Sequence, residues 1–484
     1  MKHSIQHFNE KGLEKIAKVF DSFMKDPSKI AEMVYGVTEE VVKLGLDLIA
    51  EEWESYDQIL RERKDLREGW HIVRKDEVTR TTSLGDVVYS RTLFRNVKTG
   101  QSDYLLDRWM QFDKHTRITE DAVARILEEA VESSYRKGGE NASITGAGIT
   151  KETVMNKIHA LQFPPIEASS KKTLERLYID ADEDHVALQY LIKKGDIKKP
   201  RRNTVMPYIV YVYEGLDLEE DGRPRLINPK YFGGMYDGPD GVKQLWDEIY
   251  RYIESSYDVD AIKRIDINGD GAAWIKSGTK YIRKSRFVLD KYHMHQYIIT
   301  ATSHLLDSAE DARSEIYRAI HKKQKSMAEE TFDKILDVTE TESKRRAVET
   351  AKAYILGNWA GIIRAMTEKG RKNGCSAEGH VSHVYADRMS SRPLGWCHTG
   401  VDKMARLRIY RQNKGSMLEL VRYQKQELPM AAGAEEVIFS AQQMIAEENK
   451  RRKELGNLAD LHVYSIPYPQ IKKIAALKDH IWGL

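Results

Sequence analysis

The chain has few cysteines, no long apolar run and almost no excess of either charge. Its two cysteines, Cys375 and Cys397, form no CxxC pair among 484 residues, which fits a reducing cytoplasm without a disulfide framework. No apolar run approaches the roughly 18 residues that span a membrane, and the first residues, MKHSIQHFNEKGLEKIAKVF, lack the apolar segment of a signal peptide. With 77 Lys and Arg against 74 Asp and Glu, any nucleic-acid surface must come from local clusters. We therefore expect a soluble cytoplasmic protein of several domains, with no membrane contact.

The first third of the chain combines helical and strand-like patterns. Residues 4–65 have apolar side chains at helical spacing. Two β-rich runs around KTGQ predict a hairpin within residues 87–106. A helix beginning near Thr119 ends in two glycines, and a second one begins near Thr150, which is the outline of a helix-turn-helix. Two packed helices with no role in DNA binding would show the same pattern.

From residue 174 onward, strands alternate with helices. LERLYIDADEDHV, TVMPYIVYVYEGL, AIKRIDINGD and SRFVLDKYH are predicted to be strands, and PDGVKQLWDEIYRYIESS is predicted to be a helix between them. This order predicts an α/β fold, a mixed sheet with helices on its faces. Residues 294–372 and the C-terminal part of the chain have a mainly helical pattern.

One stretch, DINGDGAAWI, begins like a calcium-binding EF-hand loop. Its twelfth position, counted from Asp266, is Ser277 instead of the bidentate glutamate that such a loop needs. The preceding AIKRIDI alternates like a strand, where an EF-hand requires a helix. We therefore interpret the stretch as a strand whose end carries Asp270 between Gly269 and Gly271, two glycines that would let a bulky phosphate approach closely.

Four carboxylates are the strongest candidates for chemistry. Asp180 and Asp182 lie two apart on a predicted strand and so project from one face, and Asp270 follows a later strand, where open α/β sheets place functional groups. Glu378, among small neighbours and after a basic segment, is the best candidate for a further carboxylate. Converging carboxylates suit Mg²⁺, and two such ions roughly 4 Å apart can stabilise the attacking and leaving oxygens of a phosphoryl displacement. A single aspartate after a strand is more often a turn former or a helix cap.

Four blocks of the sequence resemble, in order, the signature blocks of the Lre-type insertion-sequence transposases, which are bacterial DDE enzymes. The blocks are LYIDADEDHVALQ, NGDGAAWI, FVLDKYHMHQYI and GCSAEGHVSHVYADRMSSRPLGW. The resemblance implies an RNase H-like mixed sheet with helices on both faces, with Asp270 as the second catalytic aspartate and Glu378 as the glutamate. Asp180 and Asp182 fit the first block equally well, and both remain candidates. The residues predicted to line the site, or to form hydrogen bonds at the edge of the core, are Gly269, Gly271, Asp290, His293 and His380.

The patterns and the resemblance together predict six consecutive regions. They are a helical N-terminal region (residues 1–75), a β-hairpin and helix-turn-helix-like DNA-binding region (76–170), the first part of the catalytic core (171–300), a long helical insertion before the last catalytic carboxylate (301–370), the last part of the core with the glutamate (371–400) and a helical C-terminal region (401–484).

Predicted DNA contacts lie in the second helix of the helix-turn-helix-like segment and in basic runs, although basic runs are as often solvated faces. They are Thr150, Lys151, Thr153, Lys157, Lys198, Lys199, Arg201, Arg202, Arg371, Lys372 and Arg388. Trp274 fits either the core or stacking on a base. A zinc site is disfavoured, because no standard spacing matches Cys375, His380, His383, Cys397 and His398.

These features predict a transposase that binds the terminal inverted repeats of an insertion sequence and cuts and rejoins DNA there. Two Mg²⁺ ions, which Mn²⁺ can replace, are the expected cofactors, and at least a dimer is expected because two DNA ends must be handled together. The first alternative is an RNase H-like nuclease or resolvase without strand transfer. The second is a non-enzymatic DNA-binding repressor derived from a transposase. The expected location is the cytoplasm, on the bacterial nucleoid when the protein is bound to DNA.

Overall fold

The computed structural model describes residues 3–112, 116–146, 148–166, 171–190, 203–218, 224–367, 375–392 and 394–426. These residues belong to two compact units, which are described in turn. The first unit contains the described residues up to 123 and 142–146, and the second contains 124–141 and those from 148 to 426. The helices predicted beyond residue 426 lie outside the described residues. No helix in the described ranges is long and apolar enough to cross a membrane.

The first unit packs a long helix on a small sheet. Ile59 and Leu60, near the end of this helix, form a core with Trp70, Tyr89 and Phe94 of the strands. The helices of this part are α1 (His3–His7), α2 (Leu13–Lys25), α3 (Ile30–Glu62) and α4 (Leu105–Trp109), with a π-helical turn at Phe8–Gly12 and a 3₁₀ turn at Lys64–Arg67. The helical pattern of residues 4–65 is thus confirmed.

The sheet of the first unit has three antiparallel strands in chain order. They are β1 (Trp70–Thr81), β2 (Asp86–Asn96) and β3 (Ser102–Tyr104). The hairpin predicted around KTGQ joins β2 to β3, and the Asn96 side chain accepts hydrogen bonds from the amides of Lys98 and Thr99, both at 2.9 Å. The longer partner of β2 is β1, which the sequence did not predict. Most β1 side chains are exposed, and its charged residues conceal the alternation of a strand, as in edge strands generally.

A five-stranded mixed sheet forms the centre of the second unit, in the order β10–β7–β4–β11–β12. Its strands are β4 (Arg176–Glu183), β7 (Tyr208–Tyr213), β10 (Lys230–Gly234), β11 (Arg264–Gly269) and β12 (Ser285–Leu289). β10 is antiparallel to β7, and β7 is antiparallel to the central β4. β11 is parallel to β4, and β12 is parallel to β11. The predicted mixed sheet is confirmed.

Two smaller ribbons accompany this sheet. β5 (Val186–Ala187) pairs with β6 (Thr204–Val205), and β8 (Gly215–Leu218) pairs with β9 (Pro224–Ile227).

The two faces of the central sheet differ in character. On one face, Leu177, Ile179 and Ala181 of β4 join an apolar core with Trp246 and Ile275, which lie on helices. The alternate positions carry polar side chains: in the register, Asp180 lies beside Tyr211 on β7 and beside Asn268 on β11. Because successive side chains of a strand point to opposite faces, all of these polar groups project from the second face. The candidate site is built there.

The remaining elements of the second unit are helices. In chain order they are α5 (Glu120–Ala130, whose first residues belong to the first unit), α6 (Tyr135–Glu140), α7 (Lys151–Ala160), α8 (Gly238–Ser256), α9 (Ala273–Tyr281), α10 (Lys291–Thr302), α11 (Ala309–Lys322), α12 (Lys325–Asp337), α13 (Glu342–Gly357), α14 (Trp359–Thr367), α15 (Ala377–Val381), α16 (Asp387–Met389), α17 (His398–Gln412) and α18 (Met417–Gln426). A 3₁₀ segment, Ser303–Ser308, joins α10 to α11, and a π-helical segment, Ser382–Ala386, joins α15 to α16. Between the end of β12 and residue 367 the structure is therefore helical, apart from short connections.

The end of β12 differs from the prediction that SRFVLDKYH is a strand throughout. The strand stops at Leu289, and Asp290 caps α10 by accepting a hydrogen bond from the Tyr292 amide at 3.2 Å. An aspartate at this position satisfies an amide at the start of a helix that has no partner within it. His293 and His295 consequently lie in a helix, where residues two apart point in different directions.

Candidate active site

Asp182 lies near the end of the central strand β4 and is half-buried. Its Oδ1 accepts a hydrogen bond from the Glu183 amide at 2.9 Å. Burial, followed by the negative charges of Asp270, Glu183 and Glu378, raises the pKa of Asp182 from 3.8 to about 7. Carboxylates from two distant parts of the sequence are thus close enough to disfavour the charge of Asp182.

Asp270 is the first residue after the parallel strand β11. Its Oδ1 accepts a hydrogen bond from the Ala272 amide at 2.8 Å, which fixes a tight turn. Gly271, inside this turn, has φ of +99°, and a Cβ there would lie 2.8 Å from Oδ1 of Asn358. A Cβ on Gly269 would meet Ile275 at 2.7 Å and the Ala181 carbonyl oxygen at 2.9 Å. The two glycines therefore have a packing and conformational reason to be present, separate from the predicted approach of a phosphate.

Helix α13 and the residue after it contact the turn that holds Asp270. Tyr354 of α13 donates a hydrogen bond from its hydroxyl to the Asp270 carbonyl oxygen. Burial, and then the charge of Asp270, raises the pKa of Tyr354 well above its ordinary value, so its hydroxyl remains a donor. Asn358, just after α13, is buried against Gly271, and its Nδ2 donates to the Tyr354 carbonyl oxygen at 2.9 Å.

Glu378 is the second residue of the short helix α15 and is exposed. The position of this helix is set by Ser376, immediately before it, whose amide donates to Oδ2 of Asp180 at 2.9 Å. The carbonyl oxygen of Ser376 in turn faces Nδ1 of His380 at 2.9 Å. The chain thereby brings the side chain of Glu378 into electrostatic contact with Asp182 of the central strand.

Asp180 and Asp182 project from the same face of β4, as predicted, but their surroundings differ. The Asp180 side chain is fully buried. Its Oδ1 accepts hydrogen bonds from Tyr213 at 3.1 Å and Asn268 at 2.6 Å. Its Oδ2 accepts from the Tyr211 hydroxyl at 2.9 Å and from the amide and hydroxyl of Ser376 at 2.9 and 3.3 Å. Both oxygens of Asp180 are thus occupied inside the protein, whereas Asp182 faces the other acids.

Glu183 and Trp274 form a pair beside these carboxylates. Trp274 is a candidate from the sequence, whereas Glu183 is not. The Trp274 indole Nε1 donates to Oε2 of Glu183 at 2.5 Å, and its ring stacks on Tyr208 with centroids 4.2 Å apart. Burial and the charge of Asp270 raise the pKa of Glu183, and the hydrogen bond from Trp274 lowers it. Trp274 is half-buried and packs against the core, and its stacking on a base stays a prediction. The tandem acids DADED were the available signal for Glu183.

The three remaining predicted lining residues lie around the same carboxylates. Burial and the charge of Asp180 raise the pKa of Asp290, and nearby His293 lowers it. The amide of Asp290 donates to the Gly269 carbonyl oxygen at 2.8 Å, which ties the ends of β11 and β12 together. His380 lies on the other side, with its ring 4.4 Å from that of Tyr211.

The residues considered for zinc are spread over the second unit. Burial, then the charges of Asp180 and Asp290, raises the pKa of the Cys375 thiol well above its ordinary value. The Cys397 Sγ accepts a hydrogen bond from the Gly400 amide at 3.3 Å and so caps α17. His398 pairs with Asp237 at 3.3 Å. Across the described ranges, no three or more His, Cys, Asp and Glu side chains are placed so that they could hold a metal ion as they stand.

The predicted DNA contacts have different environments. Thr150 caps α7 by accepting from the Thr153 amide at 3.2 Å, and Lys151 is exposed. Lys157, on the same helix, is half-buried. Arg388 is buried, donates from Nε to the Ala130 carbonyl oxygen at 3.1 Å and lies over the Trp396 ring at 4.8 Å, so its guanidinium serves the interior. The predicted contacts outside the described residues are Lys198, Lys199, Arg201, Arg202, Arg371 and Lys372.

Comparison with known proteins identifies the family. A family model described as "Uncharacterised protein family (UPF0236)" matches residues 23–427. The chain belongs to the UPF0236 family. A UPF0236 protein of Caldanaerobacter subterraneus subsp. tengcongensis is 36% identical over 409 residues, which cover 84% of this chain and 83% of the relative. Another UPF0236 protein of that organism, whose name joins eleven designations, is 37% identical over 404 residues, covering 83% of this chain and 82% of its own.

Among solved structures, the UPF0236 chain is similar to the strand transfer complex of the Drosophila P element transposase. The two share 10% sequence identity with a TM-score of 0.24, over 67% of this chain and 84% of the other. A likeness at this TM-score is too weak to support an argument. The more specific resemblance to Lre-type transposases stays a prediction.

Proposed function

We propose that this UPF0236 protein is a DNA transposase, which binds the terminal inverted repeats of an insertion sequence and catalyses metal-dependent DNA cleavage and strand transfer. The observation that carries the proposal is that Asp270 and Glu378 both lie close enough to Asp182 to raise its pKa. Asp182 lies near the end of β4, and Asp270 directly follows the adjacent parallel strand β11, at the edge where α/β sheets place functional groups. Glu378 comes after the helical stretch that follows β12. A central strand flanked by an antiparallel pair on one side and two parallel strands on the other supports an RNase H-like core.

The donor chemistry fits magnesium. Asp182, Asp270 and Glu378 offer carboxylate oxygens, the ligands that Mg²⁺ prefers. A bound cation would counteract both the burial and the repulsion that raise the pKa of Asp182. Glu378 is exposed, so its side chain is free to rotate toward the other two. Two bound Mg²⁺ ions would supply Lewis-acid stabilisation of both the attacking and the leaving oxygen of a phosphodiester. Asp182 would release its proton as it becomes a ligand.

Other residues of the site would position these carboxylates. The Ala272 amide and the Tyr354 hydroxyl fix the turn that holds Asp270, and the Trp274 indole holds Glu183 beside Asp182. Such partners orient metal ligands and typically matter about 10- to 100-fold for metal affinity or activity. Helix α7 and the basic segments stay the proposed DNA contacts, except that the buried Arg388 is better explained by packing.

The relatives lend independent support to a mobile element. A protein name that joins eleven designations in one organism fits a gene present in many copies of a single genome. Genes of insertion sequences multiply in this way.

A cleavage and joining assay tests the proposal. Purified wild-type protein would be incubated with end-labelled DNA from either side of its gene, bearing the candidate inverted repeats, with a target DNA and with Mg²⁺ or Mn²⁺. We expect cleavage at the repeat boundary and joining of the 3′-hydroxyl ends to the target. Asp182→Asn and Glu378→Gln should each lose more than about 100-fold of the activity, beyond the effect of residues that only support metal ligands.

Glu342→Gln is the matched control, because Glu342 is also an exposed glutamate in the first turn of a helix, α13. It should cleave like the wild type. Cleavage without joining would favour the nuclease or resolvase. Binding of the repeats without cleavage in either metal would favour the repressor, and equal cleavage by Glu378→Gln would remove Glu378 from the site.

A further inference from the structure

Asp180 is a buried carboxylate that the proposed chemistry does not use. Its side chain is fully buried, and five hydrogen bonds from four residues end on its two oxygens. An ionised carboxylate offers about four lone-pair sites, so these donors leave none for a metal ion. A buried charge with so many donors is costly to move, because each donor would lose a charge-assisted hydrogen bond.

The donors come from three parts of the fold that the sequence separates widely. Tyr211 and Tyr213 lie on the neighbouring antiparallel strand β7, and Asn268 lies on the parallel strand β11. Ser376 follows 196 residues after Asp180 and contributes both its amide and its hydroxyl. The Ser376 hydroxyl also bonds with Tyr211 at 2.7 Å. The start of α15 is therefore tied to the centre of the sheet through Asp180 and through Tyr211 beside it.

We propose that Asp180 is a positioning residue: through Ser376 it fixes the first turn of α15, the backbone position from which Glu378 can reach Asp182 and Asp270. The geometry supports this role directly, since Glu378 is two residues beyond Ser376, in the first turn of a helical stretch that continues through the π-helical segment Ser382–Ala386 to Met389. The first turn of a helix has amides without partners inside the helix, so the contacts of Ser376 just before it determine where this turn lies. The proposal rests on the proposed function in treating Glu378 as a metal ligand, but the attachment of α15 can be measured without any metal.

The first measurement is amide hydrogen exchange of the peptide that contains residues 375–385, in metal-free protein. Asp180→Asn should increase its exchange at least about tenfold at pH 7, because local opening sets exchange at amides that are tied down by tertiary contacts. Asp266→Asn is the matched control. Asp266 is also a buried aspartate, on β11, but pairs with Arg286 at 2.7 Å. With the exchange of α17 as the internal reference, Asp266→Asn should leave the exchange of residues 375–385 unchanged.

The second measurement is Mn²⁺ affinity by calorimetry in a double-mutant cycle. Asp180→Asn should weaken Mn²⁺ binding about tenfold, in the range found for groups that support a ligand. In the Glu378→Gln background the same change should have no further effect, because the residue acts only through Glu378. A merely structural loss would lower affinity in both backgrounds.

The outcomes separate this proposal from the proposed function. Unchanged exchange of residues 375–385 in Asp180→Asn would overturn the positioning role, whatever the metal does. Loss of Mn²⁺ binding as complete as in Asp182→Asn would also overturn it and make Asp180 a ligand. Faster exchange in a protein whose wild type binds no Mn²⁺ would support the attachment of α15 while refuting the metal site of the proposed function.

Discussion

Replacing Asp182 with asparagine is expected to stabilise the metal-free protein above pH 7. The asparagine keeps the shape of the side chain and removes a charge that burial, Asp270, Glu183 and Glu378 all oppose. Mutations at a candidate catalytic residue that increase stability are typical of sites where like charges are held together for function. The effect should depend on pH, because only the ionised aspartate is unfavourable.

The magnitude follows from the shift. The pKa of Asp182 rises from 3.8 to about 7, and each unit corresponds to about 1.4 kcal/mol, so the full shift has a ceiling of about 4 kcal/mol. Asp182 is only half-buried, and we expect about half of this ceiling, or about 2 kcal/mol. Since the folded state holds a proton that the unfolded chain has already released, wild-type stability falls as pH rises from about 4 to about 7, relative to the variant. The difference is therefore roughly a third of its full size at pH 5 and nearly complete at pH 8.

Thermal unfolding in EDTA at pH 5, 6, 7 and 8 measures this difference. At about 2–4 °C per kcal/mol for a unit of this size, the variant should unfold about 4–8 °C above wild type at pH 8. Asp307→Asn removes an exposed aspartate and should change the midpoint by less than about 2 °C at every pH. Added Mg²⁺ should stabilise wild type and not the Asp182 variant. A variant less stable than wild type at pH 8, or a difference that does not grow between pH 5 and pH 8, would refute the reasoning.

Three further substitutions test the surroundings of the site. Gly271→Ala should lower the free energy of unfolding in urea by about 2–4 kcal/mol, because the alanine would combine a positive φ with a clash. The control Gly69→Ala, at φ of +77° with open space around the Cβ, should lower it by about 1 kcal/mol. Equal losses in the two variants would contradict the clash. Tyr211→Phe should lower the unfolding free energy by about 1–3 kcal/mol, since buried acceptors lose a donor, and an unchanged value would show that the hydroxyl is dispensable. Trp274→Phe should raise the pKa of Glu183 further, because the indole hydrogen bond lowers it; side-chain carboxyl NMR measures the shift, and a decrease would contradict the assignment.

Sequence patterns located much of the central sheet because its strands are apolar and β-branched. IDING lies in β11, which ends at Gly269, so that Asp270 directly follows the strand, as expected from the apolar alternation and the glycines. The sequence does not predict β1, because most of its side chains are exposed and only a few, such as Trp70, enter the core, so the apolar alternation of a strand is weak. Asp290 was placed within a strand although it caps α10, since a strand end followed by a helix start has no signal in apolar spacing.

The choice between Asp180 and Asp182 could not be made from the sequence. Both project from one face of β4, and they differ only in partners supplied by distant segments. Arg388 shows the same limit: in the sequence it stands among polar residues, but the fold places it over Trp396 with its Nε on a backbone carbonyl. Local spacing determines which way a side chain leaves its strand, and tertiary packing determines what it meets.

The long separation between Asp180 and Ser376 has a consequence for synthesis on the ribosome. A nascent chain that ends before residue 376 contains all five strands of the central sheet but lacks two of the hydrogen-bond donors to the buried Oδ2 of Asp180. Contacts this far apart in sequence form late and slowly. Asp180 thus receives its full set of donors only when the segment carrying the last carboxylate has been made, so we expect an incomplete chain to have a less stable sheet and to lack the proposed chemistry.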